Sequence, residues 1–164
     1  MRKTSLLAVA FGALCLWAAE ARAEVKVHKA AQVSIDIPTG WSLQAPDEQT
    51  LILMDPKQDV LIRLAVVEAA DAEKAVNVTD AQVKQFVQDV KWGDKAKPTE
   101  LNGLKGLRLK GEGKIQGKPV DLGVLILGTP SKKVLLVLAL IDHATVGAHD
   151  AEITGFINSI KPAK

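Results

Sequence analysis

The residue types best suited to chemistry in this chain are its three histidines, His28, His143 and His149. Two of them sit beside carboxylates, as Asp142-His143 and His149-Asp150. A nitrogen and oxygen set of that composition could hold zinc or another divalent cation if the intervening loop folded back. The spacing of six residues between His143 and His149 matches neither the HExxH nor the HxH pattern, and four ligands must converge for such a site. The simpler reading is a pair of solvent histidines around the start of the last helix, where Asp150 suits the helix dipole. No metal and no cofactor is therefore assigned, and Asp142, His143, His149 and Asp150 stand only as weak ligand candidates.

Nucleophilic and phosphate chemistry have less support. There is no Gly-x-Ser-x-Gly; Ser34 falls on the polar face of a predicted strand and Ser131 in a turn, neither with a histidine nearby. Gly111-Glu112-Gly113-Lys114 has the glycine content of a phosphate loop, but Arg108 and Ile115 occupy the places that need Gly and Ser/Thr. Gln116 likewise stands where a dinucleotide fingerprint needs its third glycine. Gly111 and Gly113 share the parity of Leu107 and Leu109, which marks a bulge or close packing against a helix. Asp36, Asp59, Glu68, Glu112 and Asp121 could form a carboxylate pair only through the fold. The chain reads as no enzyme, with a hydrolase built on converging carboxylates as a third-ranked alternative.

Charge is more informative. Residues 24 to 90 carry 6 basic and 11 acidic groups, residues 91 to 118 carry 8 and 3, and residues 119 to 164 carry 4 and 4. Arg108, Lys110 and Lys114 alternate along one predicted strand, so they share a face, and Lys118 follows them. Such a ribbon could meet an acidic protein or anionic lipid, or could match the acidic first half internally.

The elements that must carry these groups begin after residue 23. Met1-Arg2-Lys3, the apolar run Leu6 to Ala19 and Ala21-Arg22-Ala23 have the three parts of a secretory signal peptide. Cleavage after Ala23 is expected, because Leu14 before Cys15 does not fit a lipoprotein site, with a retained membrane anchor as the alternative. Residues 24 to 164 then form one cysteine-free domain with 18 basic and 18 acidic residues. That balance excludes thiol chemistry, disulfides and the overall basic character of a nucleic-acid binder. After cleavage no apolar run reaches the ~18 residues a membrane span needs. Export to a bacterial periplasm is expected, with secretion beyond the outer membrane left open.

Val33 to Ile37 alternates as a strand that Pro38-Thr39-Gly40 ends, and Leu51 to Met54 with Val60 to Val67 makes a hairpin around Asp55-Pro56-Lys57-Gln58. Arg63 interrupts the second strand of this hairpin and requires a partner or the sheet edge. Thr79-Asp80-Ala81-Gln82 reads as a capping box opening a helix with the stripe Val83, Phe86, Val87 and Val90. Ile153, Phe156, Ile157 and Ile160 form a second stripe halted by Pro162. Residues 69–77 and 93–99 read as loops. Leu104 to Ile115 and Val120 to Leu127 are further strands, and Val134 to Ile141, apolar on both faces, is a central one. Trp41 and Trp92 read as anchors rather than exposed contacts.

Four stretches carry a family resemblance: Ile35-Asp36-Ile37-Pro38-Thr39-Gly40-Trp41, the Leu51 to Val67 hairpin, Leu101-Asn102-Gly103-Leu104, and Phe156-Ile157-Asn158-Ser159-Ile160-Lys161-Pro162. Over about residues 33 to 162 the chain resembles the PsbP-like superfamily, including the DcrB-like bacterial periplasmic proteins. The resemblance implies an α+β fold, a single antiparallel β-sheet flanked by helices as an α/β/α sandwich. It also implies a binding or assembly role, as in a photosystem II extrinsic subunit, a nuclear-transport GTPase cofactor and effector chaperones. It supplies no catalytic residues, and a shared fold does not transfer an activity. The expectation is an exported, non-catalytic accessory protein holding another envelope protein through Arg108, Lys110, Lys114 and Lys118. The alternative is a small-molecule or divalent-metal carrier with its pocket between helix and sheet. The oligomeric state is left open.

Overall fold

The structure is a computed structural model that describes residues 23–69 and 71–164. The signal-peptide reading and Cys15 fall almost wholly outside them. The long strands, whose apolar periodicity is strongest, set the frame of the fold. β10 (Val134–Asp142) is buried along seven consecutive residues and lies between β5 (Val60–Val67) and β9 (Lys118–Gly128). Its alternate side chains enter two cores. Leu135, Val137 and Ala139 join one, and Val134, Leu136, Leu138 and Leu140 join the other. A strand apolar on both faces can only be stable with cover on both, as the sequence implied.

Around this centre the main sheet has eight strands among the described residues. β3 (Ser42–Asp47) and β4 (Thr50–Met54) extend it past β5, while β8 (Leu104–Ile115) extends it past β9. β6 (Gln88–Trp92) and β7 (Lys97–Leu101) both pair with β8, and every pairing is antiparallel. One face is covered by α1 (Ala72–Val83). The opposite face is covered by α2 (Asp150–Ser159) and a second, three-stranded sheet. That sheet comprises β1 (Glu24–His28), β2 (Val33–Ile37) and β11 (Lys161–Pro162).

The second sheet corrects the single-sheet expectation. Val33, Ile35 and Ile37 point into the α2-side core as their periodicity requires. Their hydrogen bonds, however, go to β1 and β11 rather than to the hairpin. Period-two alternation tells which side chains are buried, not which strand lies alongside. Pro162, expected to stop the last helix, instead pairs with Val33 in β11. The helix ends at Ser159, before the proline, and its extended C-cap residue Ile160 is buried in the core.

The first helix also differs from expectation. It begins at Asp71, whose Oδ1 accepts the Lys74 N–H at 2.8 Å, and ends at Val83. The stretch 72–77, read as loop, is helical. Thr79 lies mid-helix, its buried hydroxyl donating to the Ala75 carbonyl four residues back at 2.7 Å. Of the predicted stripe, Val83 and Val87 are buried, Phe86 is 41% exposed and Val90 lies in β6. Residues 97–99, read as loop, belong to β7. Trp41 is buried in the α2-side core, as an anchor, and Trp92 Nε1 donates to Asp80 Oδ1 at 2.7 Å, tying β6 to α1. Arg63 is half-buried beside Leu138, and its guanidinium meets Gln82 Oε1 at 3.5 Å near the end of α1.

Candidate functional site

β8 places the basic ribbon. Leu107, Leu109 and Ile115 pack into the α1-side core, so Arg108, Lys110, Glu112 and Lys114 project from the opposite face, all exposed. Directly paired residues of neighbouring strands share a face. Arg108 therefore stands beside Leu125, Lys110 beside Gly123, Glu112 beside Asp121 and Lys114 beside Pro119. Lys118 pairs with Ile115, which places it on the α1 side. It is removed from the ribbon by the register of a two-residue hairpin that sequence parity across the turn does not show.

The remaining three cations divide in two. At the hairpin end Lys114 Nζ meets Asp89 Oδ2 at 2.9 Å, Lys91 meets Glu112 at 3.8 Å, and His143 Nδ1 meets Asp121 Oδ2 at 2.6 Å. The hydrogen bond from Lys114, with its charge, holds the Asp89 carboxyl below the usual carboxylate range. Asp89 belongs to the acidic first half, so Lys114 is matched internally. Arg108 and Lys110 have no carboxylate partner among the described residues.

Beside these two cations runs a groove of about 360 Å³ between α2 and strands β8 to β10. Its floor is apolar: Gly123 and Leu125 of β9, Val137, Ala139 and Ile141 of β10. Ile153 and Ile157 form the α2 wall, and Asp150 and Thr154 stand on that rim. A volume at the low end of the ~300 to 1,000 Å³ of ligand clefts, with a few polar groups at its edge, is a binding geometry. Nothing in local periodicity pointed to this groove, because its parts come from residues 108 to 157.

The four ligand candidates from the sequence do not converge. His143 is bound to Asp121. Asp142 Oδ1 accepts the Ala144 N–H at 2.9 Å, capping a short 3-10 turn, His143–Thr145. Asp150 lies in the first turn of α2, as the dipole argument required, and lines the groove. His149 instead meets the β4–β5 turn: Asp55, Asp59 and His149 bring one donor atom each within 4.8 Å of one another. Nε2 of His149 lies 3.6 Å from Asp59, and Nδ1 lies 3.1 Å from Glu152. The hydrogen bond to Glu152 raises the His149 pKa against the opposing effect of burial, helped by Asp59 and by the Asp55 charge. Asp55 is buried, and burial pushes its pKa up. The N–H groups of Val60, Lys57 and Asp59 outweigh that and leave it lowered. With Asp55 Oδ1 on Val60 N–H at 2.8 Å and Oδ2 on Lys57 N–H at 3.0 Å, the set is built to clamp the hairpin turn to the start of α2.

His28 is buried between the sheets. Its Nδ1 accepts the Ala31 N–H at 3.3 Å and its Nε2 faces the Gln49 carbonyl at 3.0 Å, the pattern of one neutral tautomer. Burial lowers its pKa.

The glycines of β8 are explained by close approach. A Cβ on Gly106 would lie 1.8 Å from the Ile126 carbonyl oxygen. One on Gly111 would lie 2.8 Å from the Lys91 carbonyl oxygen, and one on Gly113 2.4 Å from Val87 Cγ1. The close neighbours of Gly111 and Gly113 are β6 and the turn before it rather than a helix; of the two readings of their parity the bulge is the one met, β6 shifting register between Gln88 and Lys91 opposite Gly113.

No known family's sequence profile matches the chain, and no curated protein matches it at significance. Solved structures do. The solution structure of cyanobacterial PsbP (CyanoP) from Synechocystis sp. PCC 6803 superposes with a TM-score of 0.60 at 11% identity, covering 89% of this chain and 95% of that one. LpqN of Mycobacterium tuberculosis, described as involved in cell envelope biogenesis, gives 0.52 at 13% identity over 80% of this chain and 83% of its own. A protein of Bacteroides thetaiotaomicron gives 0.57 at 12% identity over 87% of this chain, which spans 48% of its length. The fold is PsbP-like. Among the described residues no helix is long and apolar enough to cross a membrane.

Proposed function

We propose that the chain is an exported, non-catalytic accessory protein of the bacterial envelope, working in the periplasm, that holds another protein on the uncovered β8–β9 half of its main sheet. The observation that carries this reading is the pair Arg108 and Lys110: two exposed cations on a rigid strand, without carboxylate partners among the described residues, at the edge of an apolar groove. Exposed cations on a sheet face raise the encounter rate with an acidic partner and are screened over ~10 Å at 0.1 M salt. The fold's likeness to LpqN, an envelope biogenesis protein, fits that setting.

The experiment replaces Thr154, exposed on the groove rim, with a photo-crosslinking amino acid in the exporting cell, and Lys118 on the opposite face as control. A discrete adduct from position 154, weakened when Arg108 is also changed to Gln and by raised salt in envelope extracts, is the expected result. Equal adducts from both positions, or none from position 154, overturn the reading. The carrier alternative rests on the convergence of Asp55, Asp59 and His149. It would gain only if zinc or calcium raised the melting midpoint of the purified protein saturably. Because backbone N–H groups already engage both Asp55 oxygens, no such rise is expected.

A further inference from the structure

One feature of the groove is not required by the fold. Gly123 sits in the middle of β9 directly opposite Ala139 of β10, and these two small residues lie side by side in the floor of the groove. Unlike Gly106, Gly111 and Gly113, Gly123 is not forced. Its φ is not positive, and a Cβ built there meets only the Ala139 Cβ at an ordinary 3.7 Å. A strand-interior glycine loses conformational entropy and packs nothing, so neither backbone nor packing favours it here. What its smallness does is keep open the space between Lys110 on one side and Ile153 and Thr154 on the other.

We infer that the partner is recognised by an acidic segment carrying one bulky apolar side chain, which seats on Gly123 and Ala139 while its flanking carboxylates meet Arg108 and Lys110. The inference rests on the reading of this face as a protein-docking surface and adds what the partner must present. The groove is walled by α2 on one side only, which suits a side-chain anchor of a larger molecule, and the two unpaired cations lie at the rim where the flanking backbone would run. A central apolar anchor surrounded by charge at the rim is the usual division of labour in protein interfaces. Asp150, on the opposite rim, repels the carboxylates and so fixes which way the segment lies. Gly123 is then a specificity-determining position: its hydrogen sets the size of the anchor.

The test uses the mature chain and an acetylated, amidated peptide Glu-Asp-Leu-Phe-Asp-Glu, followed by 15N NMR. Two control peptides replace Leu-Phe with Ser-Ser, or the four acids with lysines; dodecanoate is a fourth probe. Saturable shifts confined to the amides of Arg108, Lys110, Gly123 and Ile153 are expected with the first peptide alone. Gly123→Leu should abolish them or weaken binding about tenfold, the loss of one anchor, with a melting midpoint at or above that of the wild type. Gly123→Ala, whose methyl takes up part of the same space, should fold normally and weaken binding measurably but less than Gly123→Leu. If Gly123→Leu does not fold, Thr154→Met closes the same groove from the exposed side of α2. Unchanged binding in both filled variants overturns the inference, as does equal binding of the Ser-Ser peptide. Saturation of the Gly123 shifts by dodecanoate without any response to the first peptide overturns it in favour of a lipid site. In the crosslinking experiment, loss of the adduct in Arg108→Gln but not in Gly123→Leu removes this inference and leaves the docking reading standing. An adduct insensitive to Arg108→Gln removes both.

Discussion

His149 and His28 titrate in opposite senses, and their consequences for stability oppose each other. The His149 pKa is raised in the folded chain. Its clamp on Asp59 and Glu152 therefore stabilises fully below the ordinary value of 6.5 and is lost as pH rises through the raised one. The His28 pKa is lowered by burial, so the folded chain resists its protonation. Stability falls as pH drops from 6.5 through the lowered value. Together they predict a stability maximum near pH 6.5, the ordinary value common to both. Urea midpoints measured across pH 5 to 9 should show that the His149→Gln variant loses the decline on the alkaline side and keeps the acid limb. A decline unchanged by that substitution would show that the clamp contributes nothing. Asp55, with a lowered pKa, adds a separate loss confined to pH below its ordinary 3.8.

Secondary structure elements here are specified by single contacts that pattern alone ranks wrongly. Asp71 is the cap of α1, so Asp71→Ala should cost about 0.5 to 2 kcal/mol in chemical denaturation. Thr79, which resembles a capping residue in sequence, is held mid-helix, and its replacement by Ser should leave the helix start unaffected. The strand glycines divide the same way. Gly106→Ala drives a Cβ against the backbone of β9 and should prevent folding or lower the midpoint severely. Gly123→Ala should lie within about 0.5 kcal/mol of the wild type or be stabilising by up to ~1 kcal/mol, since a strand glycine is costly in itself. Comparable losses at the two positions would contradict the different room for a Cβ at each.

At the scale of the molecule, the centre of the sheet and its uncovered rim carry separate burdens. Leu138 is 1% exposed, between Arg63 and Val124 under α1. Leu138→Ala should cost ~2 to 5 kcal/mol as a cavity opens between the layers. A change under about 0.5 kcal/mol would mean β10 is not the centre. Joint replacement of Arg108 and Lys110 by Gln should leave the thermal midpoint nearly unchanged, because neither is paired. Lys114→Gln should also leave the midpoint nearly unchanged, because its pair with Asp89 is exposed to solvent, and should have no effect on partner capture. A clear fall in midpoint from the first variant would make its cations structural rather than available.

By itself the sequence determined the strands whose alternation is long, the doubly buried β10, the β4–β5 hairpin and the apolar face of α2, because periodicity follows directly from strand and helix geometry. It also placed Arg108, Lys110 and Lys114 on one face, since residues two apart in a strand must share it. Tertiary structure alone decided which of them stay free. Lys114 is neutralised because β6 brings Asp89 across, and Lys118 is turned away by hairpin register. The same holds for His149, which meets Glu152 three positions on but is also drawn to Asp55 and Asp59 from 90 or more positions away, rather than to Asp142 or His143. The first helix was misplaced because the Val83 to Val90 stripe fits a helix locally, whereas the unpaired edge of β8 draws Gln88 to Trp92 into a strand. The division into two sheets and the groove under α2 likewise rest on pairings between distant segments, whose hydrogen bonds leave no mark on the side-chain pattern of either.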